Sequence, residues 1–242
     1  MRRVAFALPE MALTDHASTR LRMALEASGG QWFCAEDGAT PWPARVGNSS
    51  AYPVADKPGL SAFSPHEGAQ ALCLQTGVNG GYGWSDTMPE PNSWSAALIW
   101  ASGKKPARAL LSLRGEGGGN YLYLHETPER QIELRDNDGT AIVTGPECDE
   151  GWQITLISST EGEIKLAAPG GEVLSAPAPD DLPRDGALLL GCRSHRPGLK
   201  KTLGAGRIRD LFIWPGRDIL AETSEAGGEM RAAFDHFCLW ER

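Results

Sequence analysis

The sequence predicts an all-β protein, an antiparallel two-sheet β-sandwich with short N- and C-terminal helices. Three observations lead there. From Ala69 onward apolar residues recur at every second position, as in Leu122/Leu124 against Tyr121/Tyr123, Ile132/Leu134 against Gln131/Glu133 and Ile154/Leu156 against Gln153/Thr155, so one face of each strand demands a core. The alternating runs number roughly eleven and follow one another at the spacing of about 8 to 12 residues typical of sandwiches. The chain also carries 29 Gly and 17 Pro in 242 residues, which suits many short strands joined by tight turns.

The elements follow in order. Thr14 and Asp15 offer capping side chains, and Ala17, Leu21, Ala24, Leu25 and Ser28 sit at helical spacing before Gly29-Gly30, so a first helix is expected here. Gln31 to Glu67 is rich in Pro, Gly, Asn and Ser but holds Trp32, Phe33, Trp42, Tyr52 and Phe63, too many aromatics for a free linker. It is expected as an ordered arm, and helix and arm together (1–68) pack on a sandwich at 69–220. Strands are expected at Gln70–Thr76, Ser93–Ser102, Arg108–Arg114, Asn120–Glu126, Arg130–Asp136, Thr140–Thr144, Trp152–Ser158, Glu163–Ala168, Glu172–Ala176, Ala187–Cys192 and Arg207–Trp214. Asp136-Asn137-Asp138-Gly139 is a hairpin turn, because Asn and Gly tolerate positive φ. The last segment, 221–242, places Met230, Ala233, Phe234 and Phe237 on one helical stripe that docks on the sandwich. The whole is read as one structural domain.

Bulk properties exclude some partners. A formal charge of -8 and a pI near 5.2 give no positive field for nucleic acid or an anionic membrane surface. The five cysteines, Cys34, Cys73, Cys148, Cys192 and Cys238, are widely separated without a C-x-x-C pair, so reduced thiols are expected. The opening MRRVAFALPEMALTD has an apolar run of only Val4 to Leu8 before Pro9, short for a signal peptide, and no window approaches a membrane span of about 20 apolar residues. The cytoplasm is the default expectation.

A resemblance then emerges over about Gln70 to Leu220. SWSAALIW at Ser93 to Trp100, Gly151-Trp152 opening a strand, Ile164-Lys165-Leu166 in the next, and a Gly turn before Glu172-Val173 are similar to the laminin G-like branch of the concanavalin A-like lectin/glucanase superfamily. LLLGC at Leu188 to Cys192 and GRIRDLFIWPGRDIL at Gly206 to Leu220 resemble its final strand pair. The resemblance implies a jelly roll and a carbohydrate ligand, with Trp152 as a core anchor and the hairpin Gly151 to Val173 as framework. Ala167-Ala168-Pro169-Gly170-Gly171 departs from the family's Tyr-Val-Asp/Asn-Gly at this place.

Chemistry is harder to place. A glucanase of that superfamily would resemble Glu-x-Asp-x-x-Glu on one strand, where alternate carboxylates share a cleft. No strand here has it; Glu147/Asp149, Glu161/Glu163 and Asp136/Asp138 fall at turns and read as solvated acids. Asp136, Asn137 and Asp138 are also weak calcium candidates, with the turn reading ahead; otherwise no cofactor is expected. His16, His66, His125, His195 and His236 lack zinc spacing, and there is no G-x-S-x-G nucleophile or activated cysteine. GEGGGN (Gly115 to Asn120) and the glycines before Tyr82 read as turns instead of phosphate cradles. In NGGYGWSD, Tyr82 and Trp84 either stack on a sugar beside Asn79 and Asp86 or plug the sandwich edge, and the packing reading stands first. CRSHRPGLKK, with Arg193, His195, Arg196, Lys200 and Lys201, is a solvated basic loop or a site for an acidic group. These residues lead to a noncatalytic, lectin-like carbohydrate-binding protein, with a structural or attachment protein with assembly partners as the alternative and a polysaccharide hydrolase or lyase third.

Overall fold

The computed structural model describes residues 10–54, 61–75, 79–84, 93–103, 105–107, 109–115, 121–160, 162–179, 186–193, 206–221 and 225–240. In chain order the elements are α1 (Glu10–Ser28), β1 (Gln31–Cys34), a 3-10 turn (Ala35–Asp37), β2 (Trp42–Pro43), β3 (Ser50–Pro53), β4 (Ser61–His66), β5 (Ala69–Leu74), β6 (Tyr82–Gly83), β7 (Trp94–Ala101) and β8 (Leu111–Gly115). There follow β9 (Tyr121–Glu126), β10 (Gln131–Arg135), β11 (Ala141–Glu147), β12 (Trp152–Thr160), β13 (Glu163–Ala167), β14 (Leu174–Pro177), β15 (Gly186–Leu190), β16 (Arg207–Pro215) and α2 (Glu225–Trp240).

Two antiparallel sheets result. Sheet I has the order β14-β13-β12-β7-β16-β5-β4, with β1 also pairing β16, and sheet II has the order β11-β10-β9-β8-β15-β6-β3-β2. Every strand expected from the two-residue period is present. The arm is woven into the sandwich instead of lying over it: β1 and β4 join sheet I, and β2 and β3 join sheet II. Its aromatics explain why. Phe33, Trp42, Phe63, Tyr82 and Trp84 form a chain of edge-to-face rings with centroids 5.0 to 5.9 Å apart, a geometry that favours each pair beyond simple burial.

Apolar layers form on both faces of sheet I. Between the sheets, Leu98 and Trp100 of β7, Leu122 and Leu124 of β9, and Leu211 and Ile213 of β16 are buried together. On the far face of sheet I, Ile99, Ile154, Leu156, Phe212 and Trp214 meet Leu21 and Leu25 of α1 and Met230, Phe234 and Phe237 of α2. This second layer is why all eight residues of β7 are buried, where a one-sided strand would alternate. Helix α1 begins earlier than expected, so Thr14 and Asp15 lie within it; it ends at Gly29, whose φ of 69° suits glycine, with Gly30 N–H donating to Leu25 O at 2.8 Å. None of the five cysteines, all of them among the described residues, is joined in a disulfide.

Candidate functional site

The turn at Thr127–Arg130 starts the site. Thr127 N–H donates to Gln131 O, Arg130 N–H returns to Thr127 O, and Arg130 takes φ 65°, a left-handed conformation that costs a non-glycine residue about 1 kcal/mol. Its guanidinium Nη2 donates to Asp149 O at 2.6 Å, and Cys148 N–H donates to Arg130 O at 2.8 Å. The strained turn therefore grips the segment where the chain leaves β11 in sheet II and enters β12 in sheet I. Gly151, at φ 85°, supplies the sharp bend before Trp152, and Gln153 Nε2 closes the crossover by donating to Asp149 O at 3.0 Å.

Around this crossover lies a cleft of about 460 Å³. Ile132, Pro146, Ile154 and Ala168 give it apolar surface; Glu147, Asp149 and Glu150 supply carboxylates, and Gln153 and Thr155 neutral polar groups. Trp152 completes the wall. It is half-buried, with the His66 ring edge-on at 5.6 Å and the Arg209 guanidinium over its ring at 5.8 Å, so its orientation is fixed by partners on two other strands. Arg209 is held in turn by Asp210, whose carboxylate also accepts from Trp32 Nε1 at 2.8 Å. Trp152 is thus a cleft residue as much as a core anchor. Cys148 also lines the cleft, and burial, reinforced by the negative charge of Glu126, pushes its thiol up to about 11, so it is protonated at neutral pH and a poor nucleophile.

The residues singled out in the sequence fall elsewhere. Tyr82 is 3% exposed and Trp84 8%, both within the aromatic chain between the sheets, so their rings face neighbouring aromatics, the packing alternative of the two. Asn79 is buried beside them and its Oδ1 accepts from Gly81 N–H at 3.4 Å. Arg193 places its guanidinium 4.3 Å over the Tyr123 ring on sheet II. Asp86, His195, Arg196, Lys200, Lys201 and Glu161 lie outside the described residues. Asp136 Oδ1 accepts from the N–H groups of Asp138 and Thr140 at 3.0 and 2.8 Å, which makes it a turn-former; among the described residues no group of His, Cys, Asp and Glu is arranged to hold a metal ion. Glu163 is paired with Lys165 at 3.1 Å. Glu147 and Asp149, read as turn acids, come together with Glu150, Trp152 and Gln153 on the cleft. The sequence signal for this was the dense run from Glu147 to Gln153, three acids, a Gly and an aromatic amide pair, whose convergence becomes visible only once β11 and β12 are placed in different sheets.

The fold and site define a two-sheet antiparallel β-sandwich with a carboxylate- and tryptophan-lined cleft at a sheet-to-sheet crossover. No protein-family model matches the chain, and no curated protein matches it. Among solved structures, Trypanosoma rangeli sialidase bound to 2,3-difluorosialic acid superimposes with a TM-score of 0.63 at 13% identity, covering 93% of this chain and 38% of the sialidase. Domain 4 of a GH43 extracellular arabinanase from Geobacillus stearothermophilus, in complex with arabinotriose, superimposes with a TM-score of 0.58 at 16% identity, covering 84% of this chain and 96% of that domain. At such identities the likeness is one of fold. The chain spans little more than a third of the sialidase it superimposes on. Among the described residues no helix is long and apolar enough to cross a membrane.

Proposed function

We propose that the protein is a noncatalytic, lectin-like carbohydrate-binding protein of the concanavalin A-like type, with the cleft at the β11–β12 crossover as its binding site. One observation carries this reading: a fixed indole, Trp152, shares a single cleft with the amide of Gln153 and three carboxylates. A sugar offers an apolar C–H face and a fringe of hydroxyls, so it needs a flat ring beside short acceptors and donors, and the cleft sets these side by side. The fold shared with an arabinanase domain crystallised with arabinotriose supports the same class of ligand. Catalysis finds less support, because Cys148 is protonated and the acids Glu147, Asp149 and Glu150 sit exposed at the crossover instead of alternating along one strand. Binding is expected to be independent of calcium, since Asp136 is committed to its turn.

Calorimetry against a panel of oligosaccharides tests this, with and without EDTA. Binding of at least one glycan is expected, and Trp152→Ala is expected to weaken it at least about tenfold while leaving the far-ultraviolet dichroism unchanged, as truncating a central aromatic anchor does. Absence of binding across the panel overturns the reading. Release of reducing ends from a bound polysaccharide would replace it with a hydrolase.

A further inference from the structure

We infer that the cleft selects glycans by charge, admitting uncharged oligosaccharides and rejecting those that carry uronic or sialic acids; the inference rests on the binding reading above. The cleft itself, with its apolar floor and fixed indole, supplies the site. The carboxylates decide its sign. Glu147, Asp149 and Glu150 line it, and among the described residues no Lys or Arg does. Two guanidinium groups touch cleft residues, and each faces a carboxylate of its own: Arg130, which donates to Asp149 O, lies 4.0 Å from the buried Glu126 carboxylate, and Arg209 pairs with Asp210 at 2.7 Å while lying over Trp152. A carboxylate is acceptor-only, so it receives hydrogen bonds from neutral sugar hydroxyls but has nothing to give a sugar carboxylate. Ligand carboxylates would instead meet like charges across several ångströms, a repulsion that salt weakens.

The sialidase, of which this chain covers 38%, was solved with a difluorosialic acid, an anionic sugar, whereas among the described residues no Lys or Arg lines this cleft to receive one. A common sandwich does not transmit a ligand's charge class; the side chains at the crossover set it.

The experiment uses the full chain and matched pairs: a neutral oligosaccharide that binds in the panel and the same oligosaccharide bearing one glucuronic acid. At about 20 mM salt the acidic partner is expected to bind about tenfold more weakly, as three unit charges at several ångströms would produce, and the gap is expected to narrow towards unity at about 0.5 M salt. The variant Glu147→Gln/Asp149→Asn/Glu150→Gln is expected to abolish the gap at low salt. A control with Glu26→Gln/Glu36→Gln/Glu229→Gln has the same net charge but leaves the cleft intact, and the gap is expected to persist in it. Equal binding of both partners by the wild-type chain overturns charge selection while leaving glycan binding standing, and so does a gap that the control abolishes as fully as the cleft variant. Absence of binding across the whole panel overturns the site reading and the inference with it.

Discussion

The ammonium of Lys165 lies 2.7 Å from Asp218 Oδ2 and 3.1 Å from Glu163 Oε2, joining β13 to the turn that follows β16. Asp218 is 7% exposed, and its second oxygen accepts from the N–H groups of Leu220 and Ala221, both at 3.0 Å. Burial alone would raise the Asp218 carboxyl, but Lys165 and these backbone donors outweigh it and hold the group below its ordinary 3.8. A depressed carboxyl contributes stability that is complete above its unfolded value and is lost as pH falls through the folded one. Asp218→Asn is therefore expected to cost about 1–2 kcal/mol at pH 7, because Lys165 loses the nearer and more buried of its two carboxylate partners and keeps only the half-exposed Glu163, and the difference from wild type is expected to shrink as pH falls below about 4. Urea melts across that pH range read both. Lys165→Met combined with Asp218→Leu is expected to recover only part of the loss, since it removes the buried charges but takes the Oδ1 acceptor from the Leu220 and Ala221 N–H groups.

Among the elements, legibility tracked how local the pairing is. β9 to β11, and β12 with β13, could be read because alternation, the Asp136–Gly139 turn and the turn before Gly162 place each strand of these two groups next to its successor. β1 is four residues that become a strand only against β16, with Gln31 opposite Ile213, some 180 positions away, and β2, β3 and β4 carry Pro43, Pro53 and Pro65. Nothing within such short proline-bearing runs announces a partner at that distance. The cleft was hidden for the same reason: Glu147 and Asp149 look like turn acids until a sheet-to-sheet crossover sets them beside Trp152. The glycine-rich approach to β6, which suggested phosphate or sugar, has a packing cause. A Cβ on Gly81 would come within 2.5 Å of Leu190 O and collide with the Cys192 sulfur, so β6 can reach β15 only if residue 81 has no side chain. Gly81→Ala is expected to lower stability by about 2–3 kcal/mol in thermal melts. Gly170→Ala, at φ 66° with open space around it, is expected to cost only about 1 kcal/mol, from backbone strain alone.

At the scale of the molecule, the helices are the third layer of the fold. At β7 and β16 sheet I has no solvent face: one side meets sheet II, and the other carries Trp32, Phe212 and Trp214, which pack on the α2 rings. Phe212 sits 5.1 Å from Phe234 and 6.0 Å from Phe237, and Trp214 sits 5.7 Å from Phe234, all edge-to-face. Removing α2 would expose this aromatic strip together with Ile99 and Leu156, an apolar patch of the kind soluble proteins cover. A chain ending at residue 224 is therefore expected to bind an apolar dye, to lose near-ultraviolet dichroism and to self-associate in light scattering, while keeping far-ultraviolet β signal from the inter-sheet layer. Phe234→Ala in the full chain is expected to cost about 3–5 kcal/mol without exposing the strip, which separates loss of packing from loss of the layer. The cleft provides the cross-check. Ile154 lines the cleft and is also buried in the helix-side layer, so loosening that layer is expected to loosen the Trp152 wall as well. A truncated chain that melts cooperatively, binds no dye and keeps full glycan affinity would show that sheet II and the inter-sheet core suffice, and that the helices only decorate them.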